Sequence, residues 1–138
     1  MSFLLDANVL LYGLQATSQR HAAFYTWLRQ ALTDGESLYS CGRNEVALAR
    51  ISTRVYASPP QDVFEFLAEL HAQPNYRHLE LGKAGLNRWR QLTLDLDLSG
   101  NDLNDAYLAA LALEHRLTLV TADTGFTRFP GLRVFTPG

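Results

Sequence analysis

Phe3-Leu4-Leu5-Asp6-Ala7-Asn8-Val9-Leu10-Leu11-Tyr12 carries an apolar strand into a carboxylate and then at once into a second apolar segment. Open α/β sheets place chemistry at the carboxyl ends of their strands in this way, with an acid at the tip and a helix leaving from it. The pattern returns near the far end of the chain, where Leu117 to Thr121 is apolar and β-prone and ends in Ala122 and Asp123. Helical and strand-like segments alternate between the two. That order predicts an α/β fold, a three-layer α/β/α sandwich around a mainly parallel sheet.

The intervening elements follow from periodicity. A short helix over about Ala7 to Leu14 precedes a polar stretch, and Ala23, Phe24, Trp27, Leu28, Ala31 and Leu32 then recur at helical spacing until Gly35. Ser37 to Cys41 predicts a second strand, and Asn44 and Glu45 open a helix carrying Val46, Leu48, Ala49 and Ile51. Pro59 and Pro60 start another helix, running to about His71. Arg77 to Leu81 predicts a third strand and Lys83 to Leu94 a helix. Read literally, the leucines of Leu92 to Leu98 alternate as a strand would. Asn101 is placed to cap a helix that is apolar nearly all round and therefore buried, and Leu132 to Phe135 closes the chain as a last strand.

At 138 residues and 47% apolar composition, the chain 1–138 is expected to form one domain with a proper core. A lone Cys41 allows no internal disulfide, and no Cys/His cluster has zinc spacing, so a reducing, cytoplasmic setting is expected. The apolar first fourteen residues contain Asp6 and Asn8 and have no basic residue before them, unlike a signal peptide, and no stretch has the length of a membrane span. A formal net charge of -2 says nothing about partners unless the basic residues are segregated. Arg43, Arg50 and Arg54 form such a stripe on one helix. At about 100° per residue Glu45 points to nearly the opposite side, and nothing in the spacing turns the stripe toward the acids. It is a candidate phosphate-contacting surface, with a solvated helix face as the default.

Two parallel strands ending in Asp6 and Asp123 bring both carboxylates to one sheet edge if they are neighbours, and the helices that carry Glu45 and Asp105 start at that edge. Glu45, in a first helical turn, also suits the helix dipole alone. Asp105 on a buried helix needs a partner or a cation, whereas Asp102 beside it fits a dipole acid. Clustered carboxylates take up protons unless a cation holds them. An oxygen-only set selects a hard ion, Mg²⁺ or Mn²⁺, which suits phosphodiester hydrolysis. Asp95-Leu96-Asp97 shares an Asp-x-Asp pattern with aspartyl phosphotransferases, but no clean hydrophobic strand precedes it. His21, His71 and His78 fall in no metal-ligand spacing and are read as structural.

Four stretches taken in order, Leu4 to Leu10, Asn44-Glu45, Asn104-Asp105-Ala106-Tyr107-Leu108-Ala109-Ala110-Leu111-Ala112, and Leu119-Val120-Thr121-Ala122-Asp123 followed by Phe126 and Arg128 to Leu132, resemble a PIN-domain ribonuclease. More narrowly the chain is similar to a VapC-type toxin of a bacterial toxin-antitoxin pair. The resemblance implies a five-stranded sheet with the first strand central, and a Mg²⁺-dependent endoribonuclease with metal-binding acids at Asp6, Glu45, Asp105 and Asp123. It further implies that Asn8 and Thr121 orient carboxylates or water; Asp102 matches no fixed acid of the family and is kept apart from it as a candidate helper. Partners implied are an RNA substrate such as tRNA or rRNA, a second copy in a homodimer, and a small antitoxin whose C-terminal segment fills the acidic groove, in some cases within a larger complex. It also makes Leu92 to Leu98 a helix end and loop. The alternatives are a PIN-like module that binds RNA or protein without cleavage, and a Mg²⁺ phosphatase acting on small esters.

Overall fold

The computed structural model describes residues 1–138. Five short strands, β1 (Ser2–Leu5), β2 (Ser37–Ser40), β3 (Tyr76–His78), β4 (Thr118–Val120) and β5 (Val134–Phe135), form one sheet in the order β3-β2-β1-β4-β5, and every pairing is parallel. Parallel strands need crossovers, and six helices supply them or flank them: α1 (Ala7–Leu14), α2 (His21–Thr33), α3 (Gly42–Arg54), α4 (Pro60–His71), α5 (Lys83–Asp95) and α6 (Asp102–Glu114). β1 is central, and its alternation feeds both layers. Phe3 and Leu5 pack with Val9, Leu10, Phe24, Leu28, Leu48 and Val63 on the α1–α4 side, while Leu4 packs with Ala109, Leu111, Phe126 and Phe129 on the α6 side. Leu4 is completely buried, so Leu4→Ala would cost about 2–5 kcal/mol.

The local rules hold where the sequence states them strongly. Gly35, at φ +76°, takes the left-handed conformation after α2, and α6 buries Ala106, Leu108, Ala109, Ala110, Leu111 and Ala112. Other expectations are corrected. The helix after β2 begins at Gly42, ahead of Asn44, with Cys41 as an N-cap that makes no side-chain bond. The third strand is Tyr76–His78 and stops before Leu81, because Leu79 is the last residue to bond β2, through Ser40. Asn101 is helical in φ and ψ and caps nothing through its side chain, which instead accepts from Asn104 Nδ2 at 3.4 Å. Leu92 to Leu98 is the end of α5 followed by a turn in which Asp97 has φ +51°. Its leucines lie along the α6-side core: Leu92, Leu96 and Leu98 pack there and Leu94 stays 74% exposed. No helix is long and apolar enough to cross a membrane.

Candidate active site

The register of β1 against β4 pairs Leu5 with Val120, so the next residues, Asp6 and Thr121, leave the sheet side by side. Asp6 closes β1 and caps α1, accepting from the Ala7 N–H at 2.7 Å through Oδ1. Its Oδ2 accepts from Thr121 Oγ1 at 2.8 Å and Asn8 Nδ2 at 3.3 Å. Asn8 reaches further, accepting from the Ala122 N–H at 3.1 Å, and Thr121 accepts from the Asp123 N–H at 3.0 Å. One polar lattice thus ties the tips of the two strands together. Asp123 caps the 3₁₀ turn Thr124–Arg128, its Oδ1 accepting from the Gly125 N–H at 2.8 Å.

Burial pushes the Asp6 carboxyl up to about 6; the Thr121 and Ala7 hydrogen bonds hold it down in part, and the charges of Asp105 and Asp123 add to the rise. The Asp105 carboxyl is also raised, by burial first, against the pull of Arg128 and with the push of Asp123 and Asp102. Asp6, Asp105 and Asp123 therefore form one repelling group at the carboxyl edge of the sheet. Arg128 answers part of that charge: its Nη2 lies 3.1 Å from Asp105 Oδ2 and 3.3 Å from Asp102 Oδ1. Sequence reasoning gave Arg128 no role, because its partners lie 23 and 26 residues away and no local spacing links them.

Glu45 stands apart from this group. Its Oε2 accepts from Ser40 Oγ at 2.8 Å and lies 2.9 Å from His71 Nε2, on the α4 side of α3. His71, read from sequence as merely structural, is thus the residue that holds the fourth predicted acid. Asn44, beside it, is buried and donates to the Leu5 carbonyl at 2.8 Å, fixing α3 against the end of β1. The opposite face of α3 opens on the acids: a groove of about 460 Å³ is lined by Asp6, Asp105, Arg43, Arg50 and Asn104, among others. Two of the three stripe arginines therefore do face the acidic edge. Arg54, a turn further on, is exposed and outside that groove.

By donor chemistry the residues fit a hard divalent ion: the set is all carboxylate oxygen, and the burial of charge that lifts Asp6 and Asp105, with the smaller push of their mutual repulsion, is what a cation relieves. No three of the chain's His, Cys, Asp and Glu side chains converge on one point, so the acids do not stand as a formed cage. Asp105 is shared with Arg128 and Glu45 with His71.

The PIN domain family model matches residues 3–132. Ribonuclease VapC43 of Mycobacterium tuberculosis is 38% identical over 133 residues, covering 94% of this chain and 90% of that protein. Ribonuclease VapC37 of the same organism is 35% identical over 141 residues, covering 94% and 93%. Among solved structures, VapBC2 from Rickettsia felis, bound to a DNA fragment from its promoter, superposes with a TM-score of 0.74 at 19% identity over the whole of both chains. VapC20 of M. tuberculosis, a sarcin-ricin-loop-cleaving toxin, superposes at 0.71 and 10% identity, covering 91% of this chain and 92% of that one. These two structures agree with the fold. The order of four motifs, the central β1 and the carboxylates at its edge converge with the sequence relatives on one conclusion: the chain belongs to the PIN-domain family, among the VapC ribonucleases.

Proposed function

We propose that residues 1–138 act as one PIN-like domain, a Mg²⁺- or Mn²⁺-dependent endoribonuclease that hydrolyses phosphodiester bonds in structured RNA such as tRNA or rRNA. VapC nucleases of this family are in general divalent-metal dependent. The observation that carries the reading is the Asp6 carboxylate, fixed by Thr121 and Ala7 and raised by burial beside Asp105 and Asp123. Asp6, Asp105 and Asp123 would hold the metal, and Glu45 would join them after exchanging its bonds to Ser40 and His71. A bound divalent ion lowers the pKa of water and screens the phosphodiester charge. The chain's own residues do the positioning. Thr121 and Asn8 keep Asp6 Oδ2 in place, Asn44 keeps α3 on the end of β1, and Arg43 and Arg50 offer positive charge on the far side of the groove.

Supporting the biological setting, the superposing structures include a toxin-antitoxin complex from Klebsiella pneumoniae and VapBC-5 from Mycobacterium tuberculosis, a member of the VapBC family of toxin-antitoxin systems. We place this chain as the toxin of such a pair, working in the cytoplasm as a homodimer and restrained by a cognate antitoxin protein. Purified protein is incubated with total bacterial RNA, with and without EDTA, and new ends are sequenced. Defined ends that vanish with EDTA and return with added Mg²⁺ are expected. RNA binding without new ends would support a catalytically silent module instead.

A further inference from the structure

We propose that Tyr107 and Glu80 are positioning residues that hold the Arg43 guanidinium over the acidic groove to receive an RNA phosphate. The proposal rests on the ribonuclease reading and names how this groove engages its polyanion.

Arg43 lies in the first turn of α3, the positive end of a helix whose N-cap, Cys41, makes no side-chain bond. A cation there is opposed by the helix dipole. The fold compensates with Glu80, from the segment after β3, whose Oε1 accepts from the Gly42 N–H at 2.7 Å. The other oxygen, Oε2, accepts from Tyr107 Oη at 2.8 Å. Both contacts leave their mark on the two groups. Burial raises the Glu80 carboxyl, but the Gly42, Tyr107, His78 and Arg43 interactions outweigh it and leave it low; burial and Glu80 push the Tyr107 hydroxyl up to about 12. The Tyr107 ring in turn carries the Arg43 guanidinium, 5.1 Å from the ring centroid, and Arg43 Nη2 donates to Asn104 Oδ1.

An exposed arginine normally loses considerable side-chain entropy on fixing a contact. Here the loss is taken in the folded protein, before any RNA arrives. The holder is the same helix turn that presents Asp105: Asn104 and Tyr107 bracket it in α6, so the cation and the acid are set at a fixed separation by one rigid element. Arg50, about two turns along the same face of α3, lines the same groove. An RNA backbone crossing this groove meets a held guanidinium opposite the carboxylates, which counters the repulsion the acids alone would exert on phosphates either side of the scissile bond.

The test uses the full chain, fluorescein-labelled bulk bacterial tRNA, anisotropy across a salt series with Ca²⁺ in place of Mg²⁺, and KM and kcat with Mg²⁺. Arg43→Gln should weaken binding about five- to tenfold, lower the salt slope by about one, and raise KM with little change in kcat. Tyr107→Leu should do much the same with Arg43 still present, and Tyr107→Phe, which keeps the ring and loses the bond to Glu80, should fall between. The double variant Arg43→Gln/Tyr107→Leu should be no worse than Arg43→Gln alone, because both act through one guanidinium. Arg90→Gln, on the exposed side of α5, controls for loss of charge and should leave the slope unchanged. If Tyr107→Leu fails to fold, Tyr107→Phe and Glu80→Gln carry the same comparison. Additive losses in the double variant, or a wild-type slope in Arg43→Gln, would overturn the proposal while the ribonuclease reading stands. A wild-type chain that neither binds nor cuts RNA would remove both.

Discussion

Thr121 Oγ1 donates to Asp6 Oδ2 at 2.8 Å across 115 positions of sequence, and the same oxygen accepts from the Asp123 N–H at 3.0 Å. A single buried hydroxyl thereby orients one acid and anchors the backbone of another. Thr121→Val keeps the shape and deletes both bonds, together with the one the hydroxyl accepts from Asn8 Nδ2 at 3.3 Å. Single-turnover cleavage should slow about 10- to 100-fold, as for other groups that orient metal-binding carboxylates. The melting temperature should drop in line with the roughly 1–3 kcal/mol cost of an unsatisfied amide. Cleavage within twofold of wild type would take Thr121 out of the site.

Asp6 should weaken the metal-free fold at neutral pH. Its folded pKa of about 6 lies above the ordinary 3.8, so the fold favours the protonated acid. Its stabilising contribution is full below about pH 3.8 and is lost as pH rises through 6, up to about 3 kcal/mol less whatever residual solvent screens. With EDTA present, Asp6→Asn should melt roughly 3–8 °C higher than wild type at pH 7.5. The gain should shrink toward zero by pH 4. Equal gains at both pH values would mean that the charge is not the cause.

Arg128 occupies Asp105 as an internal counter-ion at 3.1 Å. A divalent ion taken up at Asp105 must share or displace it. Arg128→Gln should therefore tighten Mn²⁺ binding, read by calorimetry, about three- to tenfold, since a nearby positive charge no longer opposes the incoming cation. Weaker Mn²⁺ binding in the variant would show that Arg128 supports the metal site.

Glu45 is tied to Ser40 and His71 rather than to the Asp6 group. The proposed ligand role requires it to trade those bonds for the metal. Glu45→Ala should then weaken Mn²⁺ binding by about tenfold. Unchanged Mn²⁺ affinity would confine Glu45 to packing α3 against α4.

The parts of the fold that were legible in the sequence are those written in local chemistry. The apolar run ending in Asp6, its echo at Asp123 and the unbroken apolar surface of α6 announced the parallel sheet and its buried helix before any contact was known. Strand limits and caps were less legible. The Leu92 to Leu98 alternation is equally compatible with a helix end whose leucines lie on a core, and Asn101 is outcompeted as a cap by a chain that is already helical there. In the site, Asp6, Asp105 and Asp123 could be grouped because two strand tips and a helix start share a sheet edge. Arg128, His71, Glu80 and Tyr107 could not, because each acts through a partner 23 or more residues away, and side-chain pairing at that range leaves no periodic trace.

In the proposed function, metal-dependent cleavage of RNA runs through the carboxylate at the end of β1. This dependence is tested most directly by the cleavage rate of one labelled RNA, with saturating Mg²⁺, for wild type and for Asp6→Asn verified as folded by circular dichroism and melting. A wild-type rate that falls at least about a thousandfold in Asp6→Asn is the predicted result. Cleavage by Asp6→Asn within a few-fold of wild type would contradict it.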